Sequence, residues 1–237
     1  MHRSRRFHLN RRYRHAVSVH PALVMMARRP EPGRVKTRLC PPLTPEQATT
    51  LYEAFLYDLT VLLRSVRGVQ PIIAYAPETA ADYFASLAPD LTHRPQVGAD
   101  LGERLANITN ALLNEGAPAV VVIGSDSPDL PVAFIEQAIA ELAQGADLVL
   151  GPASDGGYYL VGLRRPAPTL FTGVTMSTPT VLRDTLAIAE QLRLQTSLLP
   201  LWYDIDTFTD LHRLIASSAS LTHTRPLLEH VLAQAGG

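Results

Sequence analysis

The run Ala119-Val120-Val121-Val122-Ile123 constrains the fold of this chain more than any other stretch. It is short, β-branched and free of polar alternation, the pattern of a strand buried on both faces. A strand of that kind belongs to a sheet enclosed by helices, and the flanking sequence supplies them. A second apolar run, 22–27, reads as the first strand. Thr44-Pro45-Glu46-Gln47 then marks a helix start, with Thr44 as N-cap, Pro45 in the first turn and Gln47 closing a capping box. Ala48, Leu51, Tyr52, Phe55, Leu59, Leu62, Leu63 and Val66 continue it as one apolar stripe. Beyond it the periodicity gives a strand at 70–76, a short helix at 79–88 and a weaker strand at 91–96. A helix at 101–115 stops at Gly116, and one at 131–144 stops at Gly145. Strands at 147–150 and 158–163 flank a tight Asp155-Gly156-Gly157 turn. Ser177 and Thr178 cap a helix with Pro179 in its first turn, running to about 192. A strand at 195–201 and helices at 207–217 and 224–235 complete the pattern. Strands alternating with crossover helices predict an α/β fold with a mainly parallel central sheet covered on both faces.

Charge narrows the function classes. Residues 1–20 hold six Arg, four His and no acid. Removing those six from the 21 Lys+Arg leaves 15 against 22 acids, so the remainder carries about −7. Such a body lacks the basic face of a nucleic-acid binder. The basic segment has no apolar core and is not a secretory signal; it reads as a disordered tail preceding a domain at 21–237. No apolar run reaches membrane-spanning length. The single cysteine, Cys40, excludes an internal disulfide and a cysteine metal cluster. A cytoplasmic location is expected.

Ligands of such sheets bind beyond the carboxyl ends of the strands, and three polar clusters fall there. The first follows strand one: Gly33, Arg34, Lys36 and Arg38. Lys36 is the only lysine of the chain. In an extended, exposed loop the three alternate cations point the same way and suit a polyphosphate. The second is Gly124-Ser125-Asp126-Ser127-Pro128-Asp129, and the third Tyr203-Asp204-Ile205-Asp206-Thr207. Mg²⁺, or Mn²⁺ in its place, takes one or two carboxylates and completes its shell with water and phosphate. Asp126 with Asp206 is the expected pair, with Asp204 as a further candidate. Gly98, Asp100, Gly102 and Arg104 open a helix whose N-terminus favours an anion and are candidates for nucleotide contact. Asp155, Gly156, Gly157 and Tyr158 suggest a loop shaped around an acceptor, and Ser177 and Thr178 offer hydroxyls at a helix start. The candidate catalytic set is Lys36, Asp126 and Asp155. No Walker pattern and no G-x-S-x-G elbow is present.

These motifs occur in a recognisable order: Pro32-Gly33-Arg34-Val35-Lys36-Thr37-Arg38-Leu39, Asp100-Leu101-Gly102-Glu103-Arg104, Gly124-Ser125-Asp126-Ser127-Pro128-Asp129-Leu130, Gly151-Pro152-Ala153-Ser154-Asp155-Gly156-Gly157-Tyr158-Tyr159 and Tyr203-Asp204-Ile205-Asp206-Thr207. Together they resemble the bacterial radical-SAM/selenodomain-associated transferases, labelled arsenosugar-biosynthesis glycosyltransferases. These are similar to 2-phospholactate and molybdenum-cofactor guanylyltransferases. The resemblance spans about residues 21–217 and implies a GT-A, nucleotide-diphospho-sugar transferase fold. One departure is Met176, where the family usually carries Trp before Ser-Thr. The implied activity is glycosyl transfer from a sugar nucleotide to a small acceptor. Nucleotidyl transfer from a nucleoside triphosphate to a phosphorylated acceptor is the alternative, and a non-catalytic nucleotide-binding protein a third.

Overall fold

The structure, a computed structural model, describes residues 20–235. The basic tail expected at 1–20 lies, apart from His20, outside the described residues. In chain order the elements are β1 (Ala22–Arg28), α1 (Pro45–Ser65), β2 (Gln70–Ala76), α2 (Ala81–Leu87), β3 (Thr92–Pro95), α3 (Leu101–Asn114), β4 (Val120–Ile123), α4 (Val132–Gln144), β5 (Leu148–Pro152), β6 (Tyr158–Leu163), α5 (Thr169–Thr172), α6 (Val181–Gln191), β7 (Thr196–Leu198), α7 (Phe208–Ala216) and α8 (Thr224–Ala235). The capping box at α1 forms as its sequence predicts. Gln47 N donates to Thr44 Oγ1, and Thr44 N donates to Gln47 Oε1.

The strands form one seven-stranded sheet in the order β3-β2-β1-β4-β6-β5-β7. β6 runs antiparallel to both its neighbours, and every other pairing is parallel. Side chains alternate between two cores. Leu23, Met25, Ile73, Val121 and Ile123 point to the layer of α1, α2, α4, α7 and α8. Val24, Ile72, Ala74, Val120 and Val122 point to α3, α5 and α6. The Val-rich run is thus buried on both faces, which excludes polar residues from it.

Two expected elements start or end elsewhere. α6 begins at Val181 rather than beside Pro179, because Leu182 N donates to the Gly156 carbonyl instead of closing a helical turn on Thr178 O; Ser177, ahead of it, has a left-handed φ of 62°. β7 is short because the donor that would follow Leu199 N→Leu150 O in the ladder belongs to Pro152 of β5, which has no N–H; pairing resumes beyond it, where Trp202 N donates to Pro152 O. The chain proceeds from β1 outward to β2 and β3, then returns to place β4 on the other side of β1. The loops after β1 and β4 therefore lie side by side at the point where the winding reverses, the usual ligand position in open α/β sheets.

Candidate functional site

A cleft of about 890 Å³ opens at that reversal point, with Lys36 and Asp126 among its lining residues. The loop after β1 is coiled, not extended: turns lead into a single 3-10 turn at Thr37–Leu39, and Lys36 itself has a left-handed φ of 48°. This corrects the expectation of three exposed, parallel cations. Arg34 turns back to Glu31, with Nε 3.4 Å from Oε2. Lys36 is only 4% exposed in its side chain, and its Nζ lies 2.5 Å from Asp126 Oδ1 and 3.3 Å from Asp206 Oδ1. It also donates to the Ile205 carbonyl at 2.6 Å. An ammonium has three N–H donors, and here three oxygens occupy them. Burial works against the charge, but Asp126 and Asp206 outweigh it and raise the Lys36 pKa above its ordinary value. Lys36 is therefore a buried counter-ion shared by two carboxylates in this geometry, rather than a free phosphate ligand. Arg38 joins the group, with Nη1 3.1 Å from Asp206 Oδ2.

The carboxylates arrive from two directions. Asp126 follows β4, and the 203–206 segment docks beside it through Ile205 N, which donates to Asp126 O at 2.9 Å. Asp206 does not cap α7. Thr207 and Asp210 form that capping box, which leaves the Asp206 side chain to Lys36 and Arg38. Asp126 and Asp206 remain 44% and 36% exposed and face the cleft. Asp204 sits deeper, accepting from Ser127 Oγ at 2.7 Å. Burial pushes its pKa up to about 6, helped by Asp126 and Asp206 and opposed by the Ser127 bond. Asp129 is buried away from the cleft and accepts from Tyr203 Oη at 2.6 Å. Among the described residues no group of three or more His, Cys, Asp or Glu side chains is arranged as a metal cage. Asp126 and Asp206 nonetheless fit a divalent ion of the Mg²⁺ type. They are hard-oxygen donors on the cleft wall, and such an ion takes one or two carboxylates.

Several lining residues escaped the sequence reading. Tyr52 looked like one more member of the α1 stripe, yet its hydroxyl accepts from Arg28 N at 3.1 Å and lies 2.8 Å from Ser125 Oγ. Burial holds its pKa up at about 12. Gln96 Nε2 spans the carbonyls of Ala27 and Ala74 at the ends of β1 and β2. A hydroxyl inside an otherwise apolar stripe was the available signal for Tyr52; for Gln96 there was none.

The remaining candidates divide between cleft and scaffold. Asp100 lines the cleft but caps α3, accepting from Glu103 N at 2.8 Å. Arg104 lines it with its Nε held by Gly98 O at 3.0 Å. Gly33, Gly98 and Gly102 do not line it. Gly102 packs α3 on α5; a Cβ there would lie 2.5 Å from the Phe171 carbonyl. On the opposite wall Asp155, Gly157, Tyr158, Ser177 and Thr178 come together. Asp155 Oδ1 accepts from Gly157 N. Gly156 is absent from that wall: at φ 92° it admits the Pro179 carbonyl, which a Cβ would meet at 2.0 Å. The paired glycines thus serve loop-to-loop packing as well as any ligand.

Residues 60–178, half of the chain, match the family described as "uncharacterized protein conserved in bacteria (DUF2064)". No curated protein matches significantly. Among solved structures, a Desulfovibrio desulfuricans G20 protein described as a "putative nucleotide-diphospho-sugar transferase" is 32% identical, with a TM-score of 0.83 over 90% of this chain and 95% of that one. The two therefore share the GT-A-like fold. A cytidylyltransferase from Leptospira borgpetersenii serovar Hardjo-bovis (strain JB197) is 13% identical with a TM-score of 0.53, over 92% of this chain and 95% of that one. A CMP:2-keto-3-deoxy-manno-octonic acid synthetase complexed with CTP is 11% identical with a TM-score of 0.51, over 82% and 96%. At those identities the likeness is one of fold.

Proposed function

The chain belongs to the bacterial DUF2064 family, and from that membership and the cleft we propose that it is a nucleotide-dependent transferase moving a glycosyl group from a sugar nucleotide to a small acceptor. The observation that carries this reading is the Lys36–Asp126–Asp206 cluster at the winding reversal of a GT-A-like sheet. Asp126 and Asp206 would hold a divalent metal ion, which when bound neutralises the diphosphate and stabilises the leaving nucleoside diphosphate. Lys36 holds the two carboxylates together. Arg38 and Arg104 supply cationic edges to the phosphates. Asp155, Ser177 and Thr178 offer acceptors and donors to the hydroxyls of a polar small molecule on the opposite wall. The likeness to a protein described as a nucleotide-diphospho-sugar transferase supports the sugar nucleotide. From the proposed nucleotide substrate we infer a cytoplasmic location. Among the described residues no helix is long and apolar enough to cross a membrane.

A second reading, nucleotidyl transfer from a triphosphate, is favoured by one observation: Arg28, Arg34 and Arg38 all line the β1 side of the cleft, where Arg34 and Arg38 would exchange their ties to Glu31 and Asp206 for a third phosphate. Products distinguish the two. The expected result is a melting-temperature rise with a sugar nucleotide and Mg²⁺, then release of a nucleoside diphosphate on adding acceptor. Pyrophosphate release from a nucleoside triphosphate supports the second reading. No response to either nucleotide class removes both.

A further inference from the structure

We propose that the Ser125 hydroxyl donates a hydrogen bond to a phosphate oxygen of the nucleotide and that Tyr52 is the positioning residue that aims it. The inference rests on the nucleotide-transferase reading but uses groups outside the Lys36 cluster.

The argument is an accounting of protons. Tyr52 is buried, and its phenol oxygen already accepts from Arg28 N at 3.1 Å. Ser125 Oγ, 2.8 Å away, is the other polar partner of that hydroxyl among the described residues. If Ser125 donated to Tyr52, the phenol proton would be buried without an acceptor, an arrangement proteins avoid. Tyr52 therefore donates to Ser125. The serine oxygen is then engaged as an acceptor, and its own proton has no acceptor among the described residues. Ser125 lines the cleft one residue before Asp126, which Lys36 contacts. A small aimed hydroxyl donor beside a cationic cluster matches a phosphate oxygen, which only accepts. The donor matters because Lys36 has its three N–H groups engaged by Asp126, Asp206 and Ile205. The relay also ties the anion site to the ends of two strands, since Arg28 ends β1 and Ser125 follows β4.

Calorimetric titration with magnesium pyrophosphate, the part common to both nucleotide classes, tests this. Ser125→Ala is expected to weaken binding about tenfold, the scale of one hydrogen bond to a charged group. Ser125→Thr, which keeps the hydroxyl, should stay within about threefold of the wild type. Tyr52→Phe should weaken binding by about threefold, and this loss should vanish in the Ser125→Ala background, because the phenol acts only through the serine. Melting temperatures accompany each titration. Unchanged affinity in Ser125→Ala overturns the proposal. Equal losses from Tyr52→Phe with and without the serine hydroxyl overturn the relay. A panel of nucleoside triphosphates and sugar nucleotides runs beside the pyrophosphate. If the wild type binds none of them, the transferase reading falls and takes the proposal with it. If the wild type binds and Ser125→Ala binds equally, only the proposal falls.

Discussion

Two charged clusters sit at opposite ends of the sheet, and they are built in opposite senses. At the amino end of β5 the buried member is an anion. Asp147 is 7% exposed in its side chain and is flanked by Arg164 and Arg165. Arg164 Nε, Arg165 Nη2 and Gln195 N all donate to it at 3.1 Å. Its acceptor capacity is used, and the surplus charge is cationic and faces water. At the carboxyl end of β1 and β4 the buried member is a cation, Lys36, and the surplus is carboxylate facing a cleft. The first arrangement is closed and serves to fix a strand start against its neighbours. The second leaves lone pairs on Asp126 and Asp206 unused, on the wall of a cleft. A charge cluster becomes a site when its unsatisfied partners point into a cavity rather than into bulk water.

The sharpest way to break this contrast is to remove one cleft carboxylate. Asp126→Asn should lower metal-dependent turnover by about a hundredfold or more, the scale of losing one preorganised electrostatic partner at a reacting group. The apo melting temperature should change little. Steady-state kinetics against Mg²⁺ concentration, beside apo melts, checks both parts. Turnover that keeps the wild-type metal dependence would return Asp126 to a structural role.

Lys36→Met comes next in size. It leaves Asp126 without its counter-ion and Asp206 with Arg38 alone, so folding stability should fall by about 2 kcal/mol. That is below the 3–5 kcal/mol of a fully buried broken pair, because Asp126 and Asp206 are partly exposed. Added Mg²⁺ should recover more stability in this variant than in the wild type. Denaturant titrations with and without Mg²⁺ measure the difference, and a wild-type curve for the variant would show that the ammonium is replaceable there.

The smallest effect on function belongs to the opposite cluster. Asp147→Asn should cost about 2 kcal/mol of stability, on the scale of hydrogen bonds to a charged group, and leave nucleotide affinity unchanged. Its pH dependence has a definite sign. Burial alone would raise the Asp147 pKa, but the Gln195 N–H, Arg165 and Arg164 overcome it and hold the pKa below the ordinary 3.8. The stabilising contribution is present above pH about 4 and is lost as the pH falls through the depressed folded value. Urea midpoints of wild type and variant should therefore converge in acid. If Asp147→Asn instead impairs nucleotide binding, the two ends of the sheet are not independent.

Much of the architecture was legible because it rests on neighbours in sequence. The Val120–Ile123 run announces burial on both faces, and Thr44 with Gln47 announces the start of α1, since both depend on local periodicity and on backbone groups three residues away. The carboxyl-end clusters were legible as well, because the positions of Arg38, Asp126 and Asp206 follow from where strands end. The environment of each side chain was not. Lys36 in isolation reads as an exposed loop cation; burial and two carboxylates distant in the chain make it a counter-ion. Asp204 and Asp206 look equivalent two residues apart, and only packing sends one to Ser127 and the other to Lys36. Gly102 and Gly156 look like ligand-contact glycines until Phe171 and Pro179 are seen to need their space. Tyr52 reads as core until Arg28 and Ser125 meet its hydroxyl. The sequence by itself determined which segments become strand and helix and at which end of the sheet the polar residues gather, because those follow from local propensity and hydrophobic period. Only the tertiary structure decided which charges are buried, which hydrogen-bonding groups remain open and which glycines are spacers, because each depends on desolvation and close approach by residues far away in the chain.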